Sequence, residues 1–309
     1  VRRAALAAVS LLLLVWLWRD VDTAALGRVL GGLHPGWLAA ALFLFVPTTL
    51  ATAWRWQVVA ADVRRLRLGE ALRMVLAASA ANLFLPAKLG DVGKGAFLGA
   101  PGAPAARAEG LALAFFEKLA DVAALAAWMV VASLWALPER EAEQLAVVLG
   151  VCVVTGFALL CAFPVSGLLA GADAADDAEP DEGAGPLLRA ARGVAALRAH
   201  PRRFGLVLLV SLGLWGLHLL QFLCAAWAAG AEVAPAWLAS RIPMAIFVGL
   251  LPISFAGIGT RDAALVYLIG PVVGEPVALS LGAFATLRYL VPAAAGALSI
   301  SGFGPSRGG

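Results

Sequence analysis

Eight ionisable residues lie within or beside long apolar runs of this 309-residue chain: Asp91, Lys94, Glu117, Lys118, Asp121, Arg261, Asp262 and Arg288. In apolar surroundings a lysine or arginine binds anions such as phosphate, while a carboxylate holds an amine or fixes those cations. Glu117 and Asp121, four residues apart, share one helix face, and Lys118 and Asp121, three apart, can pair. Arg288 sits near the middle of the run Pro276–Phe303, too deep to reach water easily, so it calls for a carboxylate partner or an anionic ligand. Glu117 and Asp121 are the favoured partners, because they lie on a continuous helix. Arg55, between Trp54 and Trp56, reads differently: aromatic neighbours suggest an interfacial position from which the guanidinium snorkels outward. Against a ligand-binding role stands an internal ion-pair network that only keeps helices in register.

Other chemistry is excluded. His34, His200 and His218 are far apart with no ligand spacing, so no metal site and no cofactor is expected. Cys152, Cys161 and Cys224 each lie in apolar runs and read as small core residues, not a disulfide framework. A net charge of +3 is too small to imply nucleic acid. GDVGKG at 90–95 lacks the spacing of a phosphate-binding loop, and GIG at 257–259 alone is weak.

Positioning these charges falls to helices in a bilayer. The chain is 62% hydrophobic and 14% charged, with mean hydropathy +0.89; soluble domains are about 25% charged. Long Ala/Leu/Val runs, not short alternating segments, predict an all-α polytopic membrane protein, not a β-barrel. Runs at Ala4–Trp18, Gly36–Ala60, Leu111–Leu137, Leu145–Phe163, Phe204–Ala229 and Pro276–Phe303 read as about six full spans, the first uncleaved. Ala71–Pro86 and Leu238–Ala256 end at or contain prolines and run into glycine-rich stretches, so neither is a plain span. Basic residues mark the cytoplasmic side. Arg2 and Arg3, the cluster Arg64, Arg65, Arg67 and Arg73, and Arg189 to Arg203 all fall inside, with the acidic loop Pro138–Glu143 outside, only if Ala71–Pro86 dips in and returns. By the same parity Leu238–Gly274 enters from the outside and both termini are cytoplasmic. Residues 171–186 are acidic and poor in bulky apolar groups, and read as a disordered cytoplasmic linker. Residues 187–198 read as either an amphipathic surface helix or a solvated connector. The whole forms one transmembrane domain, 1–303, with halves at about 1–165 and 187–303 and a tail, 304–309.

The two broken segments match each other. An offset of 166 residues lays FLPAKLGDVGK over LLPISFAGIGT, matching Pro86 to Pro252 and Gly93 to Gly259. Together with opposite entry sides, this predicts an inverted repeat whose broken helices build a mid-membrane polar site. The alternative is glycine used simply for close helix packing.

At these motifs the sequence resembles the lysylphosphatidylglycerol synthase transmembrane family, or flippase-like membrane proteins, from about Trp37 to Leu298. The N-x-x-L-P and G-[DE]-x-x-[RK] elements are matched by Asn82, Pro86, Gly90, Asp91 and Lys94, and the E-R-x-x-D element by Glu117, Lys118 and Asp121. The second-half motif is matched by Pro252, Ser254, Gly257, Gly259, Arg261 and Asp262, and a basic residue in the last helix by Arg288. Lysine stands for arginine at Lys118 and aspartate for glutamate at Asp262, which keeps charge but changes geometry and reach. The resemblance implies a lipid transporter of the cell membrane that moves a charged head group through a cavity formed by the two broken segments. Phosphate binding would fall to Lys94, Lys118, Arg261 and Arg288, and amine or cation holding to Asp91, Glu117, Asp121 and Asp262. The sequence ends at Gly309, soon after its last apolar run, so synthesis of an aminoacyl lipid is not expected of it. Two rival readings are an intramembrane lipid-phosphate hydrolase and a non-transporting anchor for a separate synthase or glycosyltransferase partner.

Overall fold

The computed structural model describes residues 22–83, 85, 89–98, 104–135, 141–162, 194–251 and 257–300, and among these there is no strand. The first apolar run, the acidic stretch 171–186, Pro86, Pro252 and Ser254 lie outside the described residues. The helices are α1 (Thr23–Gly31), α2 (Pro35–Phe43), α3 (Phe45–Ala60), α4 (Leu68–Asn82), α5 (Leu89–Gly93) with a 3₁₀ turn Lys94–Leu98, α6 (Pro104–Trp135) and α7 (Glu141–Ala162). After a helical stretch at 194–199 come α8 (Pro201–Ala228), α9 (Pro235–Leu250), α10 (Thr260–Val273) and α11 (Glu275–Ile300). Proline opens α2, α8 and α9, where its missing N–H costs no helical bond.

Pro35–Ala60, Pro201–Ala228 and Glu275–Leu298 are long and apolar enough to cross a membrane. The first bends at Leu44. Pro47 has no N–H for the carbonyl four residues back, and the hydroxyls of Thr48, Thr49 and Thr52 donate to backbone oxygens one turn earlier. Ala41 O, at the bend, accepts instead from Gln221 Nε2 on α8 at 3.2 Å.

Both broken segments fold back on themselves. α4 has 15 residues, α9 has 16 and α10 has 14. At 1.5 Å per residue each is about 21–24 Å long, short of a hydrocarbon core of about 30 Å. After α4 the chain turns so that Gly90 lies against Ala78 O and Asn82; an added Cβ would sit 2.5 Å from that carbonyl. After α9, Gly257 (φ +75°) and Gly259 (φ +93°) take backbone angles that side chains rarely adopt, and Gly257 packs on Gly249. Asp262 accepts the Gly259 N–H at 3.1 Å, closing the start of α10.

The packing of the two hairpins is reciprocal. α4 of the first lies against α11, and α9 of the second lies against α6. Adding 166 carries α4 to 234–248 and α6 to 270–301, which are the positions of α9 and α11. Each hairpin therefore packs against the helix that follows the other.

Two apolar clusters divide the core. One gathers the end of α3, the starts of α4, α6 and α8, and Leu197. The other gathers the α2–α3 bend, the end of α8, the start of α9, the end of α10 and the first half of α11. α4 thus begins in the first cluster and α9 in the second. Arg64, Arg65, Arg67, Arg202 and Arg203 belong to the loops and helix starts around the first cluster, where Arg203 pairs with Asp62 at 2.5 Å.

Candidate functional site

Between the clusters lies a polar cavity of about 1030 Å³, its open mouth included. It is lined from α3, α4, α5, α6, α8 and α11, and holds four cations (Arg55, Lys94, Lys118, Arg288) against three carboxylates (Asp91, Glu117, Asp121). Threonines 48, 49 and 52, His218 and Tyr289 complete its polar wall.

Arg55 is the hub of this network, which corrects its reading as a snorkelling interfacial residue. It is 3% exposed; its Nε donates to Glu117 Oε1 at 2.9 Å and its Nη1 and Nη2 reach the two Asp121 oxygens at 2.5 and 3.1 Å. Nη1 also donates to Ser211 Oγ at 2.6 Å. The same face shared by Glu117 and Asp121 is what lets one guanidinium span both. Lys94 Nζ stands 2.5 Å from Glu117 Oε2, a charge contact without hydrogen-bond alignment, and 4.5 Å above the Trp56 ring. Lys118 reaches back to Asp91 Oδ2 at 2.9 Å instead of pairing with Asp121, and Asn82 Nδ2 donates to the other Asp91 oxygen at 2.6 Å.

Contrary to the expectation from sequence, Arg288 does not meet Glu117 or Asp121, because Arg55 occupies both. Among the described residues it has no ion pair: its guanidinium lies 5.0 Å from the Phe222 ring centre, its buried Nε has no hydrogen-bond partner, and its electrostatic neighbours are Tyr289 and Arg261. Arg261 and Asp262 also depart from expectation. They form a pair apart from the cavity, with Arg261 Nε and Nη2 donating to Asp262 Oδ1 at 2.9 and 2.6 Å. Arg261 Nη2 bonds further to Gly282 O and Thr286 Oγ1 on α11, at 3.1 and 2.8 Å. No described residue of the second broken segment lines the cavity, so its polar wall comes from the first segment and four long helices. Gly90 is needed for close packing; Gly93 has nothing within 4 Å of an added Cβ.

Gln221 escaped the sequence reading. It is fully buried; its Oε1 accepts from His218 Nδ1 at 3.1 Å and its Nε2 donates to the Ala41 carbonyl. The 166-residue offset was the available signal, since it places Gln221 opposite Arg55. Among the described residues there is no cluster of three metal-ligating side chains.

Fold and site together define an all-α polytopic membrane protein with a charged cavity enclosed among its helices. The family model for the lysylphosphatidylglycerol synthase TM region matches residues 4–296, and the chain belongs to that family. No curated protein matches the chain at a significant level.

Proposed function

We propose that the chain moves a lipid with a phosphate-bearing head group between membrane leaflets, the head group passing through the polar cavity. The observation that carries this reading is Arg288. Every other Lys or Arg of the cavity is matched to a carboxylate, while Arg288 stands in the same wall without one among the described residues. An unmatched guanidinium at bilayer depth is costly, and a phosphate is the ligand its fork of donors fits. The partly buried pair Asp91–Lys118 offers a carboxylate and an ammonium in the same cavity for a zwitterionic head group. Short hairpins entering from opposite ends support re-entrant segments in an inverted repeat, in the manner of transporters that alternate access around a fixed site. The arginine-rich end is the cytoplasmic one.

Transport by Arg288→Gln in proteoliposomes tests the proposal. Loss of lipid movement in a variant with normal expression and thermal stability supports it; normal movement refutes a head-group role for Arg288.

A further inference from the structure

Behind the cavity wall, a second guanidinium is short of an acceptor. Arg261 is 2% exposed and, among the described residues, its Nη1 has no hydrogen-bond partner, as Arg288 Nε has none. Asp262 does not supply one: its Oδ1 takes two bonds from the Nε and Nη2 of Arg261, and its Oδ2 takes the Gly259 N–H. The corner therefore holds two arginines against one carboxylate. Between it and the cavity stands Tyr289, whose ring packs 5.6 Å from the Arg261 guanidinium while lining the cavity. Arg261 belongs to the second hairpin, and Arg288 to the helix that packs on both hairpins.

We infer that a second anion position lies between Arg261 and Arg288, screened from the cavity by Tyr289, and that it takes a phosphate group. This rests on the reading that the cavity receives a phosphate-bearing ligand. A buried donor left without an acceptor is unfavourable, and here two such donors lie on different helices, one beside the Tyr289 ring and one on the residue before it. An anion held first by Arg288 from the cavity side passes to the Arg261 side when the Tyr289 ring swings away. The site then has two stations, one for each hairpin, instead of one central position.

Native mass spectrometry of the full chain in detergent, titrated with inorganic phosphate and separately with a short-chain phosphatidylglycerol, reads the stoichiometry. The expected result is two phosphate adducts for the parent chain and one for the double variant Arg261→Met with Asp262→Asn, which removes both charges of the pair together. Two adducts with the lipid as well make the head group the source of the anion; two with inorganic phosphate alone make it a free anion. A second variant, Tyr289→Ala, leaves the Arg261–Asp262 pair intact and should admit the second adduct at several-fold lower phosphate. A single adduct in the parent, two that persist in the double variant, or an unchanged second adduct in Tyr289→Ala overturns the second station. If neither probe binds at all, the cavity reading falls with it.

Discussion

Glu117 holds two cations at once, Arg55 through Oε1 and Lys94 through Oε2, and is 1% exposed. Glu117→Gln leaves both without full compensation and should destabilise by about 3–5 kcal/mol. Arg288→Gln orphans no carboxylate, so its effect on stability should stay below about 1 kcal/mol. Thermal unfolding of the two variants in one detergent checks the contrast; a large loss for Arg288→Gln would mean it holds the fold. The glycines make a second contrast. Gly90→Ala drives a methyl into the Ala78 carbonyl and should cost about 1–3 kcal/mol, whereas Gly93→Ala meets open space and should be neutral or slightly stabilising. The same unfolding measurement ranks them. Why Arg55 was misread is also a matter of single residues. Its neighbours Trp54 and Trp56 lie on either side of it around the helix, one 45% exposed and the other fully buried. Two tryptophans adjacent in sequence thus say little about the face Arg55 takes, which is set at 3.6 residues per turn.

At the scale of elements, the bend between α2 and α3 is held from outside by α8. Gln221→Leu removes the donor to Ala41 O and should cost about 1–3 kcal/mol, the range for stranding a buried carbonyl. Hydrogen exchange localised to residues 41–48 checks that the loss begins at the bend; protection equal to the parent's would argue against it. The all-helical class and the shortness of α4 and α9 were legible in the sequence, because apolar runs, prolines and glycines act within a few residues of where they stand. The cavity was legible only in part. Asp91, Lys94, Glu117, Lys118, Asp121 and Arg288 do line it, but which charge meets which depends on helices tens of residues apart. Arg55 is 62 residues from Glu117 and 156 from Ser211. The second hairpin's pair was drawn into the cavity by analogy with the first. In the fold Thr286 and the Gly282 carbonyl, on α11, hold Arg261 elsewhere.

For the whole molecule, the reciprocal hairpins and the arginine-rich end make a directional prediction. In a chain freed of Cys152, Cys161 and Cys224, Arg67→Cys should react with an impermeant thiol reagent from the cytoplasmic side only and Glu232→Cys from the outside only. Labelling of both from one side would undo the opposed entry of α4 and α9. The placement of a charged cavity between two apolar clusters has an electrical consequence. Water and mobile charge in the cavity carry the potential of whichever solution they join deep into the protein. The transmembrane voltage then falls mainly across the apolar end that is closed, not evenly over the bilayer. A head group with one net negative charge crossing that short drop exchanges about 2.3 kcal/mol per 100 mV. On the proposed function, movement of an anionic lipid should therefore rise or fall tens of times over with an imposed potassium-diffusion potential, while a zwitterionic lipid of the same chain length should hardly respond. Equal voltage dependence for the two lipids would place the barrier somewhere other than at the closed apolar end.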